Sequence, residues 1–412
     1  MRVVLAHNFY GSEAPSGENL VFQAERDLLR ARGHEVLEFT RHSDDLRRRG
    51  AWGLVHGALA TPFNAAALLR LRRLLVRARP EVLHVHNTFP LLSPAVFHAA
   101  RGLPVATVLT LHNFRTFCAA ALLLRDGHPC TDCLDRRSAW PGLLHGCYRG
   151  SRAATLPLAA MIALHRALGT WTRQVDAFIA LTAFQRDLLV RGGLPAGLVH
   201  LKPNFHPSPP VPLPWGERAV RALFVGRLAP EKGADVLLEG WARWGAAAPD
   251  LEVIGDGPER ARLEARAVSL GLGNRVRFTG ALPPAEVESR LLRSRLLLVP
   301  SVWFEGFPLV IREAFAAGVP VAASRIGSLQ GIVEHGRTGV LFEPGSGEDL
   351  HRQVSAAWAD AGALGAMAGH ARATFEAHYT AEENARSLAS IYAMALARRR
   401  VRGDPTWSDA AP

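Results

Sequence analysis

Two cations five residues apart, held between glycines directly behind an apolar run, are the first pattern able to do chemistry. The segment is Gly226-Arg227-Leu228-Ala229-Pro230-Glu231-Lys232-Gly233, after Ala222 to Val225. A guanidinium offers phosphate oxygens a planar fork, and an ammonium adds a compact point charge. The segment then enters a helix near Gly233, whose N-terminus also favours an anion. Diphosphate binding is the expectation. An exposed charged turn is the plainer alternative, weakened because Lys232 and Lys202 are the only lysines among 48 basic residues.

The second pattern follows Leu296 to Val299 and runs from Pro300 through Glu305-Gly306-Phe307-Pro308-Leu309-Val310 to Glu313. Pro308 suits the first turn of a helix and Gly318 its stop. Glu305 then lies at the helix entrance and Glu313 about a turn and a half inside. Carboxylates accept hydrogen bonds from sugar hydroxyls, and the first-turn amides have no partner within the helix. The alternatives are a solvated face for Glu313 and a charge complementing the helix dipole for Glu305.

A third pattern holds every cysteine: Cys118, Cys130, Cys133 and Cys147, with Cys130 and Cys133 in a Cys-x-x-Cys. Four thiolates can close a tetrahedral structural Zn²⁺ site, with His128 and His145 as substitute ligands. Reduced thiols in a small insertion are the alternative. All positions on such a metal would be filled by protein, so it would take no part in a reaction.

These motifs together resemble the retaining GT-B glycosyltransferases of family 4. Gly-Arg-Leu-x-x-Glu-Lys-Gly and Glu-Gly-Phe-Pro-Leu-Val-Ile-Arg-Glu carry the resemblance. So do Ser-Gly-Glu-Asn (16–19), Arg-Gly-His-Glu-Val (32–36), His-Val-His (84–86), Thr-Leu-His-Asn (110–113), Pro-Asn (203–204) and Gly-Asp-Gly-Pro (255–258), all in family order. The resemblance implies that Gly226, Arg227 and Lys232 hold the diphosphate of a UDP-sugar or GDP-sugar. It gives Glu313 the ribose, Glu305 the donor sugar hydroxyls, and the backbone of Gly306, Phe307, Leu309 and Val310 the rest of the cradle. Gly17 would sit near the diphosphate, although Ser16-Gly17 departs from the more usual Gly-Gly. His112 would meet the transferred sugar. His86 and Asn113 fall on the acceptor side, with His84 and His165 as further candidates. No Asp-x-Asp stands at a strand end, so fixed cations are expected to do the work of a divalent metal, and no cofactor is implied.

Placing these residues requires two α/β layers. Short apolar runs read as buried parallel strands: Val3–Ala6, Glu35–Phe39, Val82–Val85, Val105–Leu109 and Ala177–Ala180 in one half, then Ala222–Val225, Leu251–Ile254, Val276–Phe278, Leu296–Val299 and Val319–Ala322. Helical segments separate them, including Gly17 to Arg32. A proline-rich run from Pro203 to Gly216 cannot continue a helix or donate within a sheet, so it reads as a stiff connector. The expected architecture is two Rossmann-like domains facing across a cleft. Residues 1–205 form the acceptor domain with a cysteine-bearing insertion near 112–150, 206–216 the linker, and 217–378 the nucleotide-sugar domain. A final helix within 379–412 returns to the first.

Composition is that of a globular chain, with 412 residues, 48% hydrophobic and 21% charged, and a formal charge of +11 that favours anionic partners. No nucleic-acid motif accompanies the charge. The apolar stretches from Ala51 to Leu69 and Ala153 to Trp171 are interrupted by His, Asn, Pro or Arg and do not read as spans. The chain therefore reads as cytoplasmic, with peripheral contact at an anionic inner membrane face compatible with its arginines. The expected acceptor is a glycan, a lipid-linked compound or a small molecule, in cell-envelope or exopolysaccharide synthesis. A silent nucleotide-sugar-binding scaffold and another nucleotide-sugar enzyme, such as an epimerase, are the competing readings.

Overall fold

The computed structural model describes residues 1–11 and 16–402. The chain divides into two compact units. The first holds Met1–Leu123, Cys130–Lys202 and the residues from Asn384; the second holds Leu124–Pro129 and Pro203–Glu383.

In the first unit β1 (Arg2–Phe9) leads to α1 (Gly17–Ala31) and β2 (Glu35–His42), followed by β3 (Val82–Asn87) and β4 (Ala106–Leu111). A short antiparallel hairpin, β5 (Leu124–Arg125) and β6 (His128–Pro129), groups with the second unit. The first sheet then resumes with β7 (Ala177–Ala180) and β8 (Val199–Leu201). Its order is β2-β1-β3-β4-β7-β8, all parallel. Every residue of β3, β4 and β7 is buried, as a sheet covered on both faces requires. One face is closed by the final helix, Ala381–Val401, whose Leu388, Ile391, Tyr392 and Ala395 join Val3, Leu5, Val82 and Val108 in a common core.

The second unit repeats the plan with β9 (Arg221–Val225), β10 (Asp250–Ile254), β11 (Val276–Gly280), β12 (Leu296–Val299), β13 (Val321–Ser324) and β14 (Gly339–Phe342). Its parallel order β11-β10-β9-β12-β13-β14 is the 3-2-1-4-5-6 arrangement of a dinucleotide-binding sheet. The order reverses between β9 and β12. Such a switch point opens a crevice at the strands' carboxyl ends, and the two motif loops leave from those two strands.

Several boundaries differ from the sequence expectation. The strand expected at Val319–Ala322 begins at Val321, because Pro320 has no N–H for the ladder. Pro308 caps the helix Leu309–Ala316 instead of entering it, and Gly318 ends it at φ +64°. The proline-rich run is docked on its own unit: Arg218 donates from Nε to the Leu213 carbonyl at 3.1 Å, and Arg372 donates to that of Pro210 at 3.1 Å.

Candidate active site

Three loops of the second unit meet backbone to backbone. Gly233, at φ +70°, leaves no room for a side chain, since a Cβ there would lie 1.9 Å from the Pro300 carbonyl oxygen. Gly255, at φ +144°, is pressed against the Gly226 carbonyl, where a Cβ would come within 1.8 Å. The Val302 amide donates to the Glu231 carbonyl at 3.0 Å, stitching the β9 loop to the β12 loop. These glycines are therefore required by close approach and by left-handed backbone.

The charged side chains stand on that frame. Arg227 donates to Glu231 at 2.5 Å, yet two thirds of its side chain stays exposed, so its guanidinium is anchored and open to a ligand. Lys232 and Glu305, expected to serve different parts of a donor, form an ion pair at 2.5 Å. Ser301 Oγ donates to the same Glu305 oxygen at 2.8 Å, and the Lys232 ammonium lies 5.5 Å from the Trp303 ring centre. Gly306, Leu309 and Val310 are half-buried where the helix Leu309–Ala316 begins, whereas Phe307 turns inward against Tyr379. Burial raises the Glu313 carboxyl above its ordinary value, opposed by the Arg312 guanidinium 3.1 Å away. Arg312 is itself buried and donates to the Phe205 carbonyl.

In the first unit the strand ends bring histidines together. His112 follows β4 and lines a small, partly open pocket with His86, Asn87, Asn113, Arg115 and Trp171. His86 Nδ1 and His112 Nε2 lie 3.1 Å apart. Asn113 donates to Glu18 at 2.7 Å and so clamps the first turn of α1, which exposed Gly17 opens. Burial raises the Glu18 carboxyl.

His84 and His165 are not among the residues that line that pocket. His84 is fully buried between Tyr392 Oη and Thr110 Oγ1, at 2.9 and 2.8 Å. His165 is fully buried between Thr170 and the Pro62 carbonyl. Lys202 is equally interior, with its ammonium 2.7 Å from Glu25. Sequence reasoning passed over Glu25, although it interrupts the buried stripe Val21, Phe22, Leu28, Leu29 of α1. An acid on an apolar stripe was the available signal.

The cysteines share one neighbourhood without converging. Cys133 Sγ accepts from the Gly142 amide at 3.2 Å. Its thiol is pushed up to about 12, by burial first, with the other three cysteines adding to the rise. Among the described residues no three of the sulfurs lie within 4.8 Å of one another; the donors that do converge are Glu25, His84 and His86.

With that geometry in place, family models match in two stretches: residues 21–206 match Glycosyltransferase Family 4, and residues 211–373 match Glycosyl transferases group 1. The 2-deoxystreptamine glucosyltransferase of Streptomyces kanamyceticus is 30% identical over 324 residues, covering 77% of this chain and 78% of that protein. The D-inositol 3-phosphate glycosyltransferase of Corynebacterium urealyticum is 37% identical over 188 residues, 41% of this chain and 42% of its own length. Among solved structures, the Anabaena protein HepE in complex with UDP shares the fold with a TM-score of 0.65 at 18% identity, covering 95% of this chain and all of that one. Sucrose-phosphate synthase of Thermosynechococcus elongatus does so at 0.64 and 18%, covering 96% and 99%. The chain belongs to the family 4 glycosyltransferases, with the GT-B pair of α/β domains. It is a glycosyl-transferring enzyme.

Proposed function

We propose that the chain moves a sugar, with retention, from a nucleoside-diphosphate sugar, with UDP as the favoured carrier, to a hydroxyl of a glycan, a lipid-linked saccharide or a small polyol. The observation that carries the donor half is the Arg227–Lys232 loop set at the switch point beside the N-terminus of the helix Leu309–Ala316. Departure of the diphosphate builds charge on its oxygens. Cations already fixed there stabilise that charge more than the ground state. In this reading Lys232 leaves Glu305 for the diphosphate and frees that carboxylate for the sugar hydroxyls. Glu313 takes the ribose and His112 meets the transferred sugar. The acceptor oxygen attacks on the face the diphosphate leaves, and its proton passes to a departing phosphate oxygen. The HepE–UDP complex supports the choice of uridine, and the cyclitol-glycosylating relatives support a polyol-like acceptor. In the same reading the arginine-rich chain meets an anionic membrane face, if at all, peripherally; no described helix is long and apolar enough to cross a bilayer.

The test is melting temperature against UDP, GDP, ADP and their sugars. A ligand at a hundred times its dissociation constant adds about 2.7 kcal/mol, which for a unit of this size raises Tm by about 5–10 °C. UDP is expected to give that shift. No shift with any nucleotide would remove the donor assignment.

A structural Zn²⁺ on Cys118, Cys130, Cys133 and Cys147 is a separate proposal, supported by the shared thiol neighbourhood and the Gly142 amide on Cys133. The ion would have to draw the sulfurs together and strip the thiol proton that burial retains. Elemental analysis of purified chain is expected to return about one zinc per chain. A metal-free, fully stable preparation would rule it out.

A further inference from the structure

We infer that the helix Gly50–Ala60 inserts its outer face into an anionic lipid bilayer, with the arginines that flank it meeting the headgroups. The inference rests on the reading that membrane contact is peripheral, and gives that contact a surface. The helix is inside out. It buries Gly53, Gly57 and Ala60 and exposes its large apolar side chains: Trp52 is 81% exposed, Leu59 74%, Leu54 68% and Val55 52%. A surface helix ordinarily turns such residues inward. Here it cannot roll over to do so. A Cβ on Gly53 would lie 1.9 Å from the Leu46 carbonyl oxygen, and Gly57 sits on the Leu46 side chain. Only the glycine face tolerates that approach. No Asp, Glu, Lys or Arg interrupts the helix.

The charge around it selects the occupant. From Leu46 to Pro80 the chain carries eight arginines and no acid. Arg47, Arg48 and Arg49 stand exposed just ahead of the helix, although Arg47 and Arg48 also meet Asp44 and Asp45. The next helix, Ala65–Ala78, follows after residues 61–64 and buries Ala67, Leu71 and Leu75. Its opposite face exposes Leu69, Arg70, Arg73, Val76 and Arg77, so apolar and cationic positions interleave there. Arginine stems lie along apolar surface while their heads reach outward, and each cation near an anionic membrane adds to the attraction. An acid-free stripe of this kind complements phospholipid headgroups. A partner chain fits less well. The outward half of this eleven-residue helix covers on the order of 300 Å², against about 800 Å² per partner in a stable protein interface. Trp and Leu flanked by arginines are the residues of a helix lying in the bilayer interface.

Sedimentation of the full chain with vesicles tests this. Vesicles of equal parts phosphatidylcholine and phosphatidylglycerol are expected to bind it, and pure phosphatidylcholine vesicles to bind it at least about tenfold less. Amide hydrogen exchange across residues 50–60 is expected to slow when the anionic vesicles are added. Trp52→Ser with Leu59→Ser is expected to weaken binding about tenfold or more. Arg70→Gln with Arg73→Gln and Arg77→Gln is expected to weaken it about 100-fold. Both variants change exposed side chains only, so each is expected to keep the parent's melting temperature and its shift with UDP. Three results would each overturn the inference: no binding to anionic vesicles, binding that neither variant weakens, or a wild-type dimer that Trp52→Ser with Leu59→Ser splits. The last would assign the face to a second copy of the chain. A chain that binds vesicles and responds to no nucleotide keeps this inference and sinks the donor reading. One that UDP stabilises and anionic vesicles do not hold does the reverse.

Discussion

Lys232→Ala is expected to lower kcat/KM for the donor by about 10³-fold, the largest loss of any single substitution in the second unit. In the proposed reading the ammonium supplies fixed positive charge where the leaving diphosphate gains negative charge, and alanine supplies nothing in its place. The same change strands Glu305, whose carboxylate is 6% exposed and keeps only the Ser301 hydroxyl. Breaking a buried pair from one side costs about 3–5 kcal/mol; because the Lys232 side chain is 24% exposed, about 2–3 kcal/mol is the fitting figure. A fall in activity could thus be blamed on folding. The double variant Lys232→Met with Glu305→Gln separates the two causes, since it removes both charges and keeps their volume. Denaturant unfolding is expected to show its stability restored, while turnover stays low. Lys232→Ala working within tenfold of the parent would refute the diphosphate assignment.

The residues of the proposed donor site could be picked out together because they are contiguous. Arg227 and Lys232 share one loop, Glu305 and Glu313 share a loop and its helix, and each loop follows an unmistakable apolar strand. Two strands that no apolar run announced show where that logic fails. Val199–Leu201 has three residues with a histidine in the middle, and Gly339–Phe342 starts on a glycine that no side chain could replace: a Cβ there would lie 1.9 Å from the Val321 carbonyl. Neither offers an apolar run long enough to stand out. The buried network was hidden for another reason. Glu25 and Lys202 are 177 residues apart, and only the fold makes them neighbours. The scarcity of lysine did point at both lysines. It could not say that Lys232 would stand on the loop after β9, paired with Glu305, and Lys202 inside the core.

That interior is expected to make the first unit acid-labile. His7, His84 and His165 are each 0% exposed, and burial above all holds them at about 3, 4 and 4, from an ordinary value near 6.5. His112 is lowered in the same direction. Between about pH 6.5 and 4 the unfolded chain takes up protons that the folded unit refuses, so stability present above pH 6.5 is lost as the pH falls. The three fully buried rings give a slope of about 4 kcal/mol per pH unit near pH 5. A unit stable by about 5–15 kcal/mol is exhausted within a few pH units at that rate. Glu25 adds its loss at lower pH still, because its depressed carboxyl must first be protonated. The second unit contains one comparable ring, half-buried His206, lowered to about 4. Calorimetry at pH 7.5, 6 and 5 is therefore expected to split the unfolding into two transitions, the first unit's falling steeply and the second's moving little. Parallel movement of both transitions, or none, would mean that these rings are charged or solvated in the native chain.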